Sequence, residues 1–427
     1  MAAGYAAAGK AGEVATFELF VRRLPPNRNY LIAAGLAQAV DYLLNVRFQP
    51  EDLDYLRSLP QFALAPPAFW DLLRNFRFTG DLWAVPEGTP VFAGEPLLTV
   101  RAPIVEAQIP ETYLLSMVSF QTMIASKAAR VVEAAGGRSV VEFGTRRAHS
   151  PEAGVLAARA AYIGGCSGTS NVESGRRFGI PVLGTAAHSW VQSFESELES
   201  FRRLRDLLGA GTVYLVDTYD AIEGTRRAAS LGKPLWGVRL DSGNLAELSR
   251  AARRILDDAG LSDAKIMVSG DLNEYKILEL VAAGLPIDAM GVGTDLAASS
   301  DSPTLGAVYK LAQIDARFTA KFSPDKHTYP GAKQIFRFPG HDMVTCHWEC
   351  PCDKEPVPAP LLRPVILRGE LVESLPTADE ARIRAKRALA QLPASVRGLY
   401  DQDHPYRVEY SAELTKLYED LRARATR

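Results

Sequence analysis

Six short polar or glycine-rich runs, each placed after a short apolar run, hold the residues of this chain that are able to do chemistry. Arg146 and Arg147 follow Ser139-Val140-Val141 and precede Ser150-Pro151-Glu152, which supplies an N-cap, an N1 proline and a first-turn acid for the next helix. A guanidinium fork beside a helix start pairs with carboxylate or phosphate, although the same spacing also fits an arginine solvated at a rim. Gly164-Gly165 and Gly168-Thr169-Ser170-Asn171 let backbone N–H groups approach an oxyanion or planar ligand, or make a plain turn between helices. No Gly-Lys-Ser/Thr follows, so this is not a P-loop.

His188, just past Ile180-Pro181-Val182-Leu183, has the chemistry of a base, a ligand or a nucleophile, or of a hydrogen-bonded structural residue. Arg239 with Asp241-Ser242-Gly243 joins a base, an acid and a glycine at one strand end, a set suited to substrate, sugar hydroxyls or a metal-bound phosphate. Gly270-Asp271 and Gly291-Val292-Gly293-Thr294 read as backbone cradles for phosphate. A separate cluster, Cys346, His347, Cys350 and Cys352, offers soft metal ligands but lacks the two spaced Cys-x2-Cys knuckles of common zinc sites. Its alternative is a reduced loop with buried thiols.

These groups need a frame that brings strand ends together. The apolar runs are Ser139–Val141, Ile180–Leu183, Val213–Val216, Leu235–Val238, Lys265–Val268 and Asp288–Val292, each followed by a polar end and a helical pattern. Continuous apolar strands alternating with helices imply a parallel sheet, and closure into a barrel puts all the polar ends on one rim. The flanking sequence differs. Thr16–Val21 reads as a strand, Leu31–Leu43, Asp52–Leu59 and Pro67–Phe76 as helices, and Pro86–Phe92 with Glu95–Val100 as two β-runs joined by Ala93-Gly94. Pro110–Gly136 reads as a long helix, Lys333–Arg337 and Pro364–Leu367 as strands, and Thr377–Gln391 with Ser411–Arg424 as charged amphipathic helices. The fold class predicted is α/β: an irregular α/β barrel over 136–310, with a second, sheet-containing α+β domain made by 1–135 and 311–427.

Composition bounds the partners. With 427 residues, 47% hydrophobic and 23% charged, the chain exceeds one core of ordinary size. A formal charge of -2 and a pI near 6.4 argue against nucleic acid or an anionic membrane as a partner held by bulk electrostatics, and favour a small molecule. The four cysteines are too few and too clustered for a disulfide framework, which suggests a reducing cytoplasm. Neither a signal peptide nor an apolar run of about 18 residues is present, so a soluble chain is predicted.

Taken in order, Glu142-Phe143-Gly144-Thr145-Arg146-Arg147, Gly168-Thr169-Ser170-Asn171, Gly184-Thr185-Ala186-Ala187-His188-Ser189, Val238-Arg239-Leu240-Asp241-Ser242-Gly243 and Gly291-Val292-Gly293-Thr294 resemble the motifs of the nicotinate phosphoribosyltransferase family, over nearly the whole chain. The resemblance implies a type II phosphoribosyltransferase fold, usually dimeric with sites near the interface. It implies that nicotinate and 5-phosphoribosyl 1-diphosphate give nicotinate mononucleotide and diphosphate, coupled to ATP hydrolysis, with Mg2+ on the diphosphate. His188 matches the histidine that ATP phosphorylates. Arg239 and Thr185 match residues near the nicotinate carboxylate, and Phe143 a ring-stacking aromatic. Arg146, Asp241, Gly270, Gly293 and Thr294 match positions around the ribose and its phosphates. Asp241 also stands where positive charge develops at the ribose carbon.

The similar nicotinamide enzymes carry an aspartate where Ser170 aligns, an acid that would repel a carboxylate substrate, so Ser170 favours nicotinate. Family members usually begin with a segment containing Asp-x-Tyr-x-x-Thr-Met, whose tyrosine stacks on the pyridine from the neighbouring subunit. Here the chain opens at Met1-Ala2-Ala3-Gly4-Tyr5, which implies either a start codon upstream or a weaker base pocket. Two rival readings are a quinolinate phosphoribosyltransferase, which needs more basic residues and no phosphorylated histidine, and a silent sensor of phosphoribosyl diphosphate.

Overall fold

The structure is a computed structural model that describes residues 1–351, 358–400 and 405–425. It divides into two units, one built from Met1–Met123, Thr304–Thr377 and Arg384–Arg427, the other from Ile124–Pro303 and Ala378–Ile383. The boundary between Met123 and Ile124 falls inside the long helix Glu111–Ala134.

In the first unit a seven-stranded sheet draws strands from both ends of the chain. Its order is Arg317–Phe318, Ala307–Ile314, Val14–Val21, Pro96–Pro103, Asp81–Ala84, Arg363–Leu367 and Glu370–Leu371, antiparallel throughout. Phe17, Leu19, Leu82, Val100 and Ile366 are buried in its core, and the rings of Phe17 and Tyr309 stack with centroids 4.8 Å apart. A three-stranded sheet, Lys333–Phe338, His341–Cys346 and Arg407–Tyr410, belongs to the same unit. The β-runs on either side of Ala93-Gly94 do not pair with each other. Pro90–Val91 pairs with Leu31–Ile32, whereas Pro96–Pro103 lies between Val14–Val21 and Asp81–Ala84. Pro90 and Pro96 have no N–H for a reciprocal ladder, and Gly94, at φ +87°, donates instead to the Val21 carbonyl at 2.8 Å.

The second unit holds the irregular α/β barrel. Its parallel strands pair in the order Gly168–Thr169, Ser139–Glu142, Ala289–Val292, Lys265–Val268, Gly237–Leu240 and Val213–Leu215. Inside, Val141, Met267 and Ala289 form a small cluster against which Phe143 and Trp236 pack. Ile180–Leu183, expected as a full strand, supplies one parallel bridge, Val182 to Thr169. Pro181 has no N–H, and Val182 and Leu183 remain 49% and 39% exposed, so little burial rewards a longer ladder. The neighbouring place is taken by Gly168–Thr169, where a turn between helices had been an open alternative. A Cβ at Gly168 would lie 2.5 Å from the Pro181 carbonyl oxygen, which is why glycine fits there.

Five of the six strand ends turn into a helix through a capping side chain, the exception being Ala289–Val292, whose helix begins after Gly293. Ser150 accepts from the Ala153 N–H, Asn171 from Ser174, Asp220 from Ile222 and Glu223, Asn244 from Ala246 and Glu247, and Asn273 from Tyr275 and Lys276. Such caps contribute about 1 kcal/mol each and fix where each polar loop stops. Beneath one of them, Glu274 is fully buried with Lys127 at 2.5 Å and Arg130 at 3.2 Å, and Lys127 also reaches Asp301 at 2.9 Å. Removing one partner of so buried a set costs roughly 3–5 kcal/mol, so it holds the helix Glu274–Ala282 to the long helix in one arrangement.

Candidate active site

Glu142 closes the first barrel strand and is buried. One carboxylate oxygen accepts from the Thr169 hydroxyl at 2.6 Å, and the other accepts from the Gly144 N–H. Burial pushes the Glu142 carboxyl above the ordinary range, and these two donors pull back against it. The same residue's carbonyl accepts from the Ser170 N–H at 3.0 Å, so the loops that begin at Phe143 and at Ser170 are tied to one acid. Asn171 extends the tie: its N–H donates to the Thr169 hydroxyl at 2.9 Å and its side-chain amide to Thr145 at 3.0 Å.

Phe143 lies across Gly291, where a Cβ would sit 2.6 Å from the ring. On the Phe143 ring the Arg239 guanidinium stands 5.5 Å from the centroid. Arg239 is held on three sides. Its Nε donates to Ser269 at 2.8 Å, one terminal nitrogen donates to Thr185 at 2.6 Å, and the other pairs with Asp241 at 2.6 Å. The Asp241 carboxyl, pulled up by partial burial, is held lower still by the Ser269 hydroxyl, Arg239 and His188, and ends below its ordinary value. Its second oxygen is 3.6 Å from His188 Nε2, while His188 Nδ1 lies 3.1 Å from the Thr218 hydroxyl.

His188 opens a one-turn helix, His188–Gln192. Buried Val191 and the Trp190 indole, which donates to the Ser200 carbonyl at 3.3 Å, seat that turn. Asp217 completes the group: one oxygen accepts from the Asp241 N–H at 2.8 Å and the Ser242 hydroxyl at 2.7 Å, and its other oxygen is buried without a partner among the described residues.

The structure thus brings His188, Asp241, Arg239, Thr185 and Phe143 into one connected constellation. Arg146, Ser170 and Thr294 are exposed just beyond the ends of neighbouring strands, without side-chain hydrogen bonds among the described residues. Gly293 precedes the short helix Thr294–Ala297, and Gly270, at φ +94°, approaches the Asp241 carbonyl so closely that no Cβ fits between them. Thr218, Ser269 and Asp217 were not singled out from sequence as site residues. Their one signal in the sequence is position: Asp217-Thr218 and Ser269 each stand directly at the end of an apolar run. In the other unit, Cys346 is buried and burial pushes its thiol up to about 12, Cys350 is disulfide-bonded rather than the free thiol expected, and Cys352 lies outside the described residues. Among the described residues no three His, Cys, Asp or Glu side chains group as metal ligands.

Residues 124–302, which carry the parallel barrel and its arginine-acid-histidine rim, match the quinolinate phosphoribosyl transferase C-terminal domain, a phosphoribosyltransferase module. Residues 1–119 match the nicotinate phosphoribosyltransferase N-terminal domain. The chain is 45% identical over 419 residues to a nicotinate phosphoribosyltransferase of Mycobacterium tuberculosis, covering 96% of this chain and 89% of that one. The crystal structure of human nicotinic acid phosphoribosyltransferase superposes with a TM-score of 0.83 at 29% identity, covering 99% of this chain and 98% of that one. A nicotinate-nucleotide pyrophosphorylase from Pyrococcus furiosus superposes with a TM-score of 0.75 at 27% identity, over 91% and 92% of the two chains. The chain belongs to the nicotinate phosphoribosyltransferase family.

Proposed function

We propose that this chain joins nicotinate to 5-phosphoribosyl 1-diphosphate, releasing nicotinate mononucleotide and diphosphate, in pyridine-nucleotide salvage. The observation that carries the reading is the fixed Arg239: a guanidinium locked by Thr185, Asp241 and Ser269 beside the Phe143 ring presents positive charge next to an aromatic wall. That pairing suits a planar ring bearing a carboxylate. The pyridine nitrogen attacks the ribose carbon as its bond to the diphosphate oxygen breaks, and the electron pair leaves with diphosphate. Positive charge that develops on the ribose is met by Asp241, which stays ionised because its neighbours hold its carboxyl low. Arg146, exposed and without a side-chain hydrogen bond among the described residues, meets phosphate oxygens in this reading. Ser170 brings no charge to the base pocket and so favours nicotinate over nicotinamide.

Mg2+ suits the oxygen donors here: Asp217 has a buried, unpartnered carboxylate oxygen, and Asp241 has one oxygen outside its pair with Arg239. When bound it would neutralise charge on the departing diphosphate. ATP is the co-substrate in this reading. His188 takes its terminal phosphoryl group on an imidazole nitrogen as ADP departs, and water later cleaves the phosphohistidine. Proximity to Asp241 and Thr218 supports that role, since both neighbours fix the ring's orientation. The chain acts in the cytoplasm as a homodimer with its site near the interface.

The test is formation of nucleotide and diphosphate from nicotinate and phosphoribosyl diphosphate, with and without ATP, by the unmutated chain and by His188→Ala. ATP stimulation present in the first and absent in the second is the expected result. Absence of product from the unmutated chain defeats the transferase reading, and equal stimulation in the variant defeats the phosphohistidine.

A further inference from the structure

The sheet unit contains a cavity of about 340 Å3 whose lining the reaction does not use. Its floor is one face of the seven-stranded sheet. Gln313, Thr16 and Arg101 stand opposite one another across three strands, and Thr99 faces Trp83 in the next row. His347 and Leu362 also line it.

Five of these side chains, Thr16, Trp83, Thr99, Arg101 and His347, make no side-chain hydrogen bond to the described protein, and the Thr99 hydroxyl is fully buried. A buried hydroxyl without a partner is uncommon, and here Thr99 lines, with buried Thr16 and half-buried Trp83, a hollow that the exposed Arg101 and His347 also border, a combination that marks a ligand site. The set is rich in donors: a guanidinium, an indole N–H, two hydroxyls and an imidazole. No Asp or Glu lines the cavity, and the one other cation there, Lys333, is already paired with Glu18 at 2.5 Å. An acceptor-rich anion fits this chemistry and a cation does not. The Trp83 indole and Leu362 add an apolar wall against which a ring can lie.

We propose that this cavity is a second binding site, separate from the barrel rim, for a small aromatic carboxylate. Its carboxylate meets Arg101 and its ring lies against Trp83. The inference stands independently of the reaction proposed above.

Calorimetry on the full chain carrying Arg239→Ala, which disables the carboxylate partner at the barrel rim, tests it with benzoate and inorganic phosphate as probes. The expected result is one saturable benzoate site, weakened about tenfold or more by adding Arg101→Ala, with phosphate binding about tenfold more weakly than benzoate. Arg101 is exposed, so its replacement leaves the fold intact. Benzoate also quenches tryptophan emission, and Trp83→Phe abolishes that part of the change. No saturable benzoate binding in the Arg239→Ala background overturns the proposal. So does an affinity unmoved by Arg101→Ala, or equal binding of phosphate and benzoate. Nucleotide formation by the Arg101→Ala single variant, expected at the unmutated rate, reads the transferase separately, so that either idea can fail alone.

Discussion

The two sides of the barrel rim follow opposite plans. On one side Arg239, Asp241, Ser269, Thr185, Asp217, Ser242, Thr218 and His188 are joined by a continuous run of hydrogen bonds and short ion contacts. On the other, Arg146, Ser170 and Thr294 are exposed and make no side-chain hydrogen bonds among the described residues. A side chain already held in place costs no ordering when substrate arrives, whereas a free arginine must lose rotamer freedom to make the same contact. The tied side is therefore suited to the reacting centre, where misplacement is most damaging, and the open side to long, flexible phosphate chains.

Breaking the tied side should do the most harm. Arg239→Ala should lower kcat/KM for nicotinate by about 100- to 1000-fold, and Arg239→Lys should recover little, because an ammonium cannot reach Ser269, Thr185 and Asp241 together. A drop of only about threefold in steady-state rates would remove the distinction between the two sides.

Gly291→Ala probes the wall of the same side without touching charge. Its new methyl meets the Phe143 ring, and such overpacking costs about 1–3 kcal/mol, visible as a lower Tm. KM for nicotinate should rise while KM for phosphoribosyl diphosphate holds, and a rise in both would mean that the loop had collapsed as a whole.

The open side predicts a smaller and simpler effect. Arg146→Ala should raise KM for phosphoribosyl diphosphate by about tenfold with kcat nearly unchanged, and added salt should shrink the gap. A large fall in kcat would show that Arg146 belongs with the tied group after all.

The smallest expected signal is the pH dependence of stability. The Asp241 carboxyl is lowered in the folded chain, so its ionised form stabilises the fold above the ordinary value of 3.8, and that contribution is lost as pH falls through the folded value. The stability difference between the unmutated chain and Asp241→Asn should stay constant above about pH 5 and narrow at more acidic pH. Denaturation measured across that range checks it, and a gap that widens on acidification would reverse the assigned direction.

Much of the barrel could be read from sequence because buried parallel strands are continuous apolar runs. Lys265–Val268 and Ala289–Val292 follow that rule directly. Ile180–Leu183 broke it, since an apolar run that stays half exposed next to a proline has little reason to ladder. Gly168–Thr169 broke it the other way: a two-residue strand starting at glycine has no hydrophobic pattern to read, and only its neighbours define it. Within the site, Arg239 and Asp241 were legible because they share a strand end. Ser269 was not, because it lies 30 residues from Arg239 and meets it only through the parallel register that sets Arg239 beside Met267. Thr218 touches His188 across the same separation, and no spacing rule links two loops that follow different strands.

The buried Glu142 has a consequence for motion. Because Gly144, Thr169 and the Ser170 amide all end on this one residue, the loop carrying Phe143 and the loop carrying Ser170 cannot open one at a time without stranding a buried carboxylate. Their amide protons should exchange with solvent as a single cooperative unit, with shared protection that Glu142→Ala would split into two. Phe143 and Ser170, which the proposed reaction sets against the base, would then breathe together, so that the pocket is formed at both loops or at neither.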